Sequence, residues 1–138
     1  MVESRSKVLL VEDSKFLRIA NERALARAGY EVSTAADGEE ALRVANDELP
    51  DVILLDMLLP KLSGPEVLKA LKSNPATMAI PVIVLSSLSQ RNEEKLKQAG
   101  AVEYLEKASL DLATHPNRLA DAVESVLSQC RQRRQPGH

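Results

Sequence analysis

The chain has 138 residues, of which 44% are hydrophobic and 28% charged, with a formal net charge of -2. That is enough for one globular domain with a real core, and one domain is expected. The near-neutral charge and the few aromatics, Phe16, Tyr30 and Tyr104, offer DNA or RNA neither electrostatic attraction nor a stacking platform. No apolar stretch approaches the roughly 20 residues of a membrane span, and residues 1–7 carry no signal-peptide pattern, so no membrane insertion and a cytoplasmic location are expected. Cys130 is the single cysteine and has no internal disulfide partner; on the apolar stripe of the last helix it reads as a small hydrophobe.

Short apolar runs alternate with amphipathic segments, the pattern of parallel strands joined by crossover helices on both sheet faces, and five such units fit the length. The first strand is predicted over 7–11. Ser14 or Asp13 can cap the helix that follows, in which Phe16, Leu17, Ala20, Ala24, Leu25 and Ala28 recur at helical spacing up to a stop at Gly29. A second strand follows over 31–35. Asp37 and Glu40 have the spacing of a capping box that opens a helix through Ala41, Leu42 and Ala45, ending before Pro50.

The third strand is predicted over 51–55. Pro60 and Gly64 punctuate the loop beyond Asp56, and Pro65 stands in the first turn of a helix with Val67, Leu68 and Leu71, ended by Asn74-Pro75. A fourth strand is predicted over 81–85, then a polar fourth helix over 90–99 closed by Gly100, a fifth strand over 102–105, and a last helix over about 116–132. Leu119, Val123, Val126, Leu127 and Cys130 form the inward stripe of that helix. Arg131, Arg133 and Arg134 read as a solvated helix terminus, favourable with the helix dipole.

Glu12, Asp13 and Asp56 each stand just after an apolar run, 7–11 or 51–55, too short for a helix and fit for a buried strand. If the two strands are parallel and adjacent, three negative charges meet at one sheet edge, where their repulsion calls for a cation. A few carboxylates with room for waters and phosphate oxygens suit magnesium better than an all-protein calcium cage. Phosphate chemistry is therefore the leading expectation. In an open parallel sheet the site lies at the carboxyl ends of the strands, and here those ends carry Glu12, Asp13, Asp56, Ser86 and Lys107.

This order of residues, with Leu59-Pro60 and Gly64 after Asp56 and with Ala99-Gly100-Ala101 before Tyr104 and Lys107, resembles the receiver domain of two-component response regulators. The resemblance covers nearly the whole chain, with a receiver domain over 6–132 and tails at 1–5 and 133–138. It implies a doubly wound (βα)5 flavodoxin-like α/β fold with a five-stranded parallel sheet in the order 2-1-3-4-5. By the same resemblance Asp56 is the acceptor of a phosphoryl group from a histidine kinase or phosphotransfer protein. Asp13, Asp56 and the Leu58 backbone carbonyl would bind Mg2+, or Mn2+ in its place, with Glu12 acting through a bound water. Lys107 would pair with Asp56 and then with a phosphoryl oxygen, Ser86 would hydrogen-bond another, and Tyr104 would turn inward as the switch aromatic. The expected output is a change at the helix 4/strand 5/helix 5 face, which would meet a downstream protein or a second copy of the chain.

Taken alone, Lys107 is a surface lysine, Ser86 a capping hydroxyl, Asp13 a helix N-cap and Tyr104 a strand aromatic; together with the acids they read as a site. An interaction module working without phosphorylation has no physical need for such a costly charge cluster. A hydrolase passing through an aspartyl intermediate would need a second acid and a substrate cap that the sequence does not offer. The expectation is a signalling domain, not an enzyme with a free substrate, either standing alone or belonging to a longer chain. Two departures from the family pattern stand out. Lys107 is followed by Ala108 where the family has a cis proline, and a cis bond before alanine costs about 2.5 to 4 kcal/mol, so trans is expected. The two positions flanking the site hold Leu58 and Leu88, neither able to orient an attacking water. Replacing Leu58 by Asn and Leu88 by Glu is expected to shorten the phosphoryl lifetime, read by following loss of the adduct by intact mass.

Overall fold

Each of the five apolar runs forms a strand, and every strand pairing is parallel. In the computed structural model, which describes residues 5–57, 59–86, 97–98, 100–106 and 117–133, the strands are β1 (Lys7–Val11), β2 (Glu31–Ala35), β3 (Val52–Asp56), β4 (Val82–Ser86) and β5 (Glu103–Glu106). They form one sheet in the order β2-β1-β3-β4-β5. β3 and β4 are buried at every position and β1 at all but Lys7, which is why their sequences are continuous apolar runs rather than alternations. β2 is an edge strand, buried only at Ala35, and its sequence is correspondingly mixed.

The third, fourth and fifth strands all run one residue later than the sequence predicts. Pro81 has no N–H to give to the ladder, so β4 starts at Val82. At the other end the ladder continues past Leu55, with the Met57 N–H bonded to the Leu85 carbonyl at 3.0 Å. Asp56 and Ser86 are therefore the last residues of their strands, held by the sheet itself, and not the first residues of loops.

Helices cover both faces. α2 (Gly38–Glu48) and α3 (Gly64–Ser73) place Ala41, Val44, Ala45, Val67, Leu68 and Leu71 against Leu9, Val11, Ile53, Leu55, Val82 and Val84. On the opposite face, Leu25 of α1 (Lys15–Arg27) and Leu119, Val123, Val126 and Leu127 of the C-terminal helix (Arg118–Arg133) cover Val8, Leu10, Val52, Leu54, Ile83 and Leu85. Cys130 packs partly buried against this second cluster, as its place on the stripe predicts.

The helix ends follow their punctuation with some differences. Ser14, not Asp13, caps α1, its hydroxyl accepting from the Leu17 N–H at 3.3 Å, and the helix ends at Ala28 before Gly29, whose φ of 102° is left-handed. Asp37 caps α2 as expected, but the Glu40 carboxylate accepts from the Ala36 N–H at 2.7 Å rather than from Asp37. α3 opens on a complete capping box, Ser63 with Glu66, which the Ser-x-x-Glu spacing could have announced. The apolar stripe read for α1 is only partly inward: Leu25 is fully buried, Ala20 and Ala24 are intermediate, and Ala28 is exposed. Phe16 is 79% exposed and Leu17 38%. The first turn of α1 begins right at the strand ends, so its side chains lie at the edge of the sheet rather than over it.

The predicted helix over 90–99, Ser87, Leu88, and the segment from Lys107 to Pro116 with the bond before Ala108 lie outside the described residues, apart from helical Lys97 and Gln98. Leu58 and the side chains of Arg131, Arg133 and Arg134 do too. Among the described residues no helix is long and apolar enough to cross a membrane.

Leu54 is wholly buried at the centre of the sheet, beneath α1 and the C-terminal helix. Leu54→Ala is expected to destabilise the fold by about 3 to 5 kcal/mol through lost burial and an unfilled cavity, read as a lower urea midpoint at unchanged slope.

Candidate functional site

β1 leads to β2 on one side of the sheet, while β3, β4 and β5 follow on the other, so the strand order reverses between β1 and β3. Ligands of open parallel sheets sit at this reversal, outside the carboxyl ends of the strands. Leu10 is paired with Leu54 and Val11 with Leu55. One residue further, the same register brings Glu12 alongside Asp56. Glu12 is 1% exposed and Asp56 2%, whereas Asp13 is open to solvent. One carboxylate oxygen from each of the three lies within 4.8 Å of the others.

Three carboxylates so close repel strongly wherever water is excluded, and a multivalent cation reverses that repulsion. The donor set is all oxygen, partly buried and open on the Asp13 side. It fits a hard divalent ion that keeps several waters, in the manner of magnesium. The residues that sequence reasoning proposed for the metal, Glu12, Asp13 and Asp56, are thus brought together; the Leu58 carbonyl lies outside the described residues.

Backbone contacts fix the two acids that follow β1. The Glu12 N–H remains in the sheet, bonded to the Ala35 carbonyl at 3.0 Å, and the Glu12 carboxylate accepts from the Ser14 N–H at 3.2 Å. Arg18 of α1 donates to the Glu12 carbonyl at 2.9 Å and to the Asp13 carbonyl at 3.4 Å. Sequence reasoning missed Arg18, because an arginine inside an amphipathic helix carries no local sign of reaching back to the strand end.

The loop after Asp56 is held by close packing. Gly64 donates its N–H to the Met57 carbonyl at 3.1 Å, and a Cβ there would stand 2.5 Å from the Met57 Cα and 2.7 Å from the Asp56 carbonyl oxygen. Only glycine lets α3 start this near the strand end. Lys61, left-handed at φ 69°, extends its ammonium to 3.6 Å from the Asp37 carboxylate and 3.8 Å from that of Glu39. The Gly38 N–H adds a bond to the Pro60 carbonyl at 3.4 Å, which ties the loop to the start of α2. The Glu40 N–H bonded to Asp37, with Lys61 beside it, holds the Asp37 carboxyl below its usual range. The Ser63 backbone and hydroxyl hold Glu66 down in the same way.

On the other side of Asp56, Ser86 ends β4 and is 2% exposed. Asp56 pairs with Leu85 and Ser86 with Glu106, so Ser86 lies at the same sheet edge as the acids. Tyr104 pairs with Val84, two residues before Ser86, and is buried in the α2/α3 cluster, so Ser86 and Tyr104 share a sheet face. Lys107 lies outside the described residues.

Fold and site together define a receiver: a 2-1-3-4-5 parallel sheet with an acidic cluster fit for a divalent ion at the strand reversal. Comparison with known proteins agrees. The family model of the response regulator receiver domain matches residues 8–124. The chain is 43% identical over 124 residues to the gliding motility regulatory protein of Myxococcus xanthus, covering 88% of this chain and 15% of that protein. It is 39% identical over 102 residues to the alkaline phosphatase synthesis transcriptional regulatory protein PhoP of Bacillus subtilis, covering 73% of this chain and 42% of that one. The chain thus spans less than half the length of either relative. Among solved structures, the signal receiver domain of a signal transduction histidine kinase from Syntrophus aciditrophicus superposes with a TM-score of 0.79 at 30% identity, covering 96% of both chains. This chain belongs to the response regulator receiver family.

Because a Cβ at position 64 collides with the Met57 Cα and the Asp56 carbonyl oxygen as well as with the end of the Met57 side chain, Gly64→Ala is expected to displace the Asp56–Met57 backbone. The predicted result is a lower thermal midpoint together with weaker Mg2+ binding by calorimetry.

Proposed function

We propose that this chain is a phosphorelay response regulator that takes a phosphoryl group onto Asp56 from the phosphohistidine of a histidine kinase or phosphotransfer protein. The gathering of Glu12, Asp13 and Asp56 at the strand reversal carries this reading. A carboxylate oxygen of Asp56 attacks phosphorus in line, the P–O bond forms as the P–N bond breaks, and the departing imidazole keeps the electron pair and takes up a proton. A carboxylate is a weak nucleophile, so the protein's part is position and charge. Bound Mg2+, or Mn2+ in its place, would supply positive charge against the carboxylates and the phosphoryl oxygens. Asp13, Asp56 and the Leu58 carbonyl would hold the ion, with Glu12 acting through a water. Lys107 and Ser86 would each take one phosphoryl oxygen.

The output is a two-state change on the helix 4/strand 5/helix 5 face. Phosphorylation shifts it only as far as the phosphoryl group bonds one state better than the other. The shared face of Ser86 and Tyr104 supports this reading, since a movement of the serine opens space on the side where the ring packs. So does a cavity of about 240 Å³ between β5 and the C-terminal helix, lined by Tyr104, Leu105, Arg118, Asp121 and Ser125 among others. The partners of that face are a downstream protein or a second copy of the chain. The domain acts in the cytoplasm and turns over no free substrate beyond its own slow dephosphorylation.

Incubation with acetyl phosphate and MgCl2 is expected to add the mass of one phosphoryl group to the wild-type chain and none to Asp56→Asn, with EDTA abolishing the adduct. An unmodified wild type, or an adduct that survives Asp56→Asn, would falsify the assignment of Asp56 as acceptor.

A further inference from the structure

Arg18 plays no part in the phosphoryl-transfer reading, yet its guanidinium is aimed at the backbone of the acidic cluster. The chain leaves the sheet within a single residue: the Glu12 N–H still bonds the Ala35 carbonyl, while the Glu12 carbonyl accepts from Arg18 at 2.9 Å. The Asp13 carbonyl accepts from the same Nη1 at 3.4 Å. Peptide groups past a strand end have lost the ladder that orients them, and a partner elsewhere has to supply what the ladder gave. The Arg18 N–H makes the first bond of α1, to the Ser14 carbonyl at 2.8 Å, so forming the helix brings the guanidinium back over the strand end. The Glu12 carboxylate meanwhile accepts the Ser14 N–H. Residues 12 to 18 form a closed loop of contacts, and the two carboxylates hang from its peptide planes.

We infer that Arg18 is the positioning residue of the metal site, its Nη1 bridging the Glu12 and Asp13 carbonyls and fixing those peptides so that their carboxylates converge with Asp56. This inference rests on the divalent-ion reading above. Charge and geometry make opposite predictions for it. As a charge alone, Arg18 beside three carboxylates repels a second cation, and its removal would tighten metal binding. As a clamp, its removal loosens the ligands and weakens binding. Arg18→Met keeps most of the aliphatic stem while removing donors and charge together, so the sign of the change separates the two roles.

The test is calorimetric titration of the full chain with MgCl2 as wild type, Arg18→Met and Arg18→Lys. Arg18→Met is expected to weaken Mg2+ affinity by about tenfold, the scale found when residues that orient metal ligands are removed. Arg18→Lys, whose ammonium keeps donors and charge but not the fixed planar geometry of the guanidinium, should recover part of the loss. In metal-free protein, hydrogen exchange at the Ser14 amide should accelerate in Arg18→Met, a readout that depends on no ion. Unchanged or tighter Mg2+ binding by Arg18→Met overturns the inference, and so does unaltered Ser14 exchange. Should Arg18→Met not fold, Arg18→Lys decides, and binding equal to wild type overturns the inference. A wild type that binds no Mg2+ sinks the metal reading and this inference together, whereas a wild type that binds with Arg18→Met indistinguishable from it sinks this inference alone.

Discussion

The register of β1 against β3 is the constraint on which the rest of the molecule depends. Leu10 faces Leu54 across the centre of a sheet covered on both sides, so Glu12 and Asp56 arrive together at its edge whether or not their charges favour it. Two like charges within 4.8 Å repel by roughly 3.5 to 4 kcal/mol at an effective dielectric near 20, before any counter-charge is considered. Each fully buried Leu, Ile or Val contributes about 1.5 to 3 kcal/mol in the opposite direction, and β1, β3 and β4 bury such residues along nearly their whole length. Burial of the strands therefore decides the register, and the acids are carried into proximity as a consequence. A slip by one residue would exchange the side chains that β1 sends into the two cores, Leu9 and Val11 on one face and Val8 and Leu10 on the other, and so would break the packing of both.

Much of this was legible in the sequence because its signals were strong and local. Continuous apolar runs marked the central strands, and Gly29, Pro50 and Asn74-Pro75 marked where elements stop. What local reading got wrong involved position relative to the sheet. Phe16 and Leu17 fit a helical stripe by spacing, but spacing does not say that the first turn of α1 begins at the sheet's edge. Strand ends were misplaced by one residue because a ladder continues wherever its neighbour offers a carbonyl, as Leu85 does for Met57. Glu40 fits a capping box by type, yet its carboxylate reaches one residue further, to Ala36. The acids of the site were readable as residue types following buried strands. Arg18 was not, because its role is a contact between a side chain and backbone carbonyls that no periodicity encodes.

The described contacts are not spread evenly around the acids. On the β1 side, Arg18 and the Ser14 N–H secure Glu12 and Asp13. On the β3 side, Gly64 packs against the Asp56 carbonyl while the Gly38–Pro60 bond and the Lys61 ion pairs anchor the loop to α2. Each surface ion pair of this kind is worth little by itself. Their importance is geometric, since metal and phosphoryl chemistry requires ligands placed to within about half an ångström by rigid surroundings.

That distribution also bears on how a signal would leave the site. A bond formed at Asp56 can do no more than bias an element that already has two arrangements. The β1 and β3 edges are pinned by several independent contacts, and moving either would break the register that places the acids. Ser86 and Tyr104 lie instead on β4 and β5, on one face, and β5 is the far edge strand of the sheet. An edge strand has one hydrogen-bonded neighbour rather than two, so displacement there disturbs one ladder and leaves the acid register intact. On the proposed reading, the many contacts at the strand reversal and the single ladder of β5 would be parts of one design, in which the same sheet would hold the acceptor still and let its neighbours report what it carries.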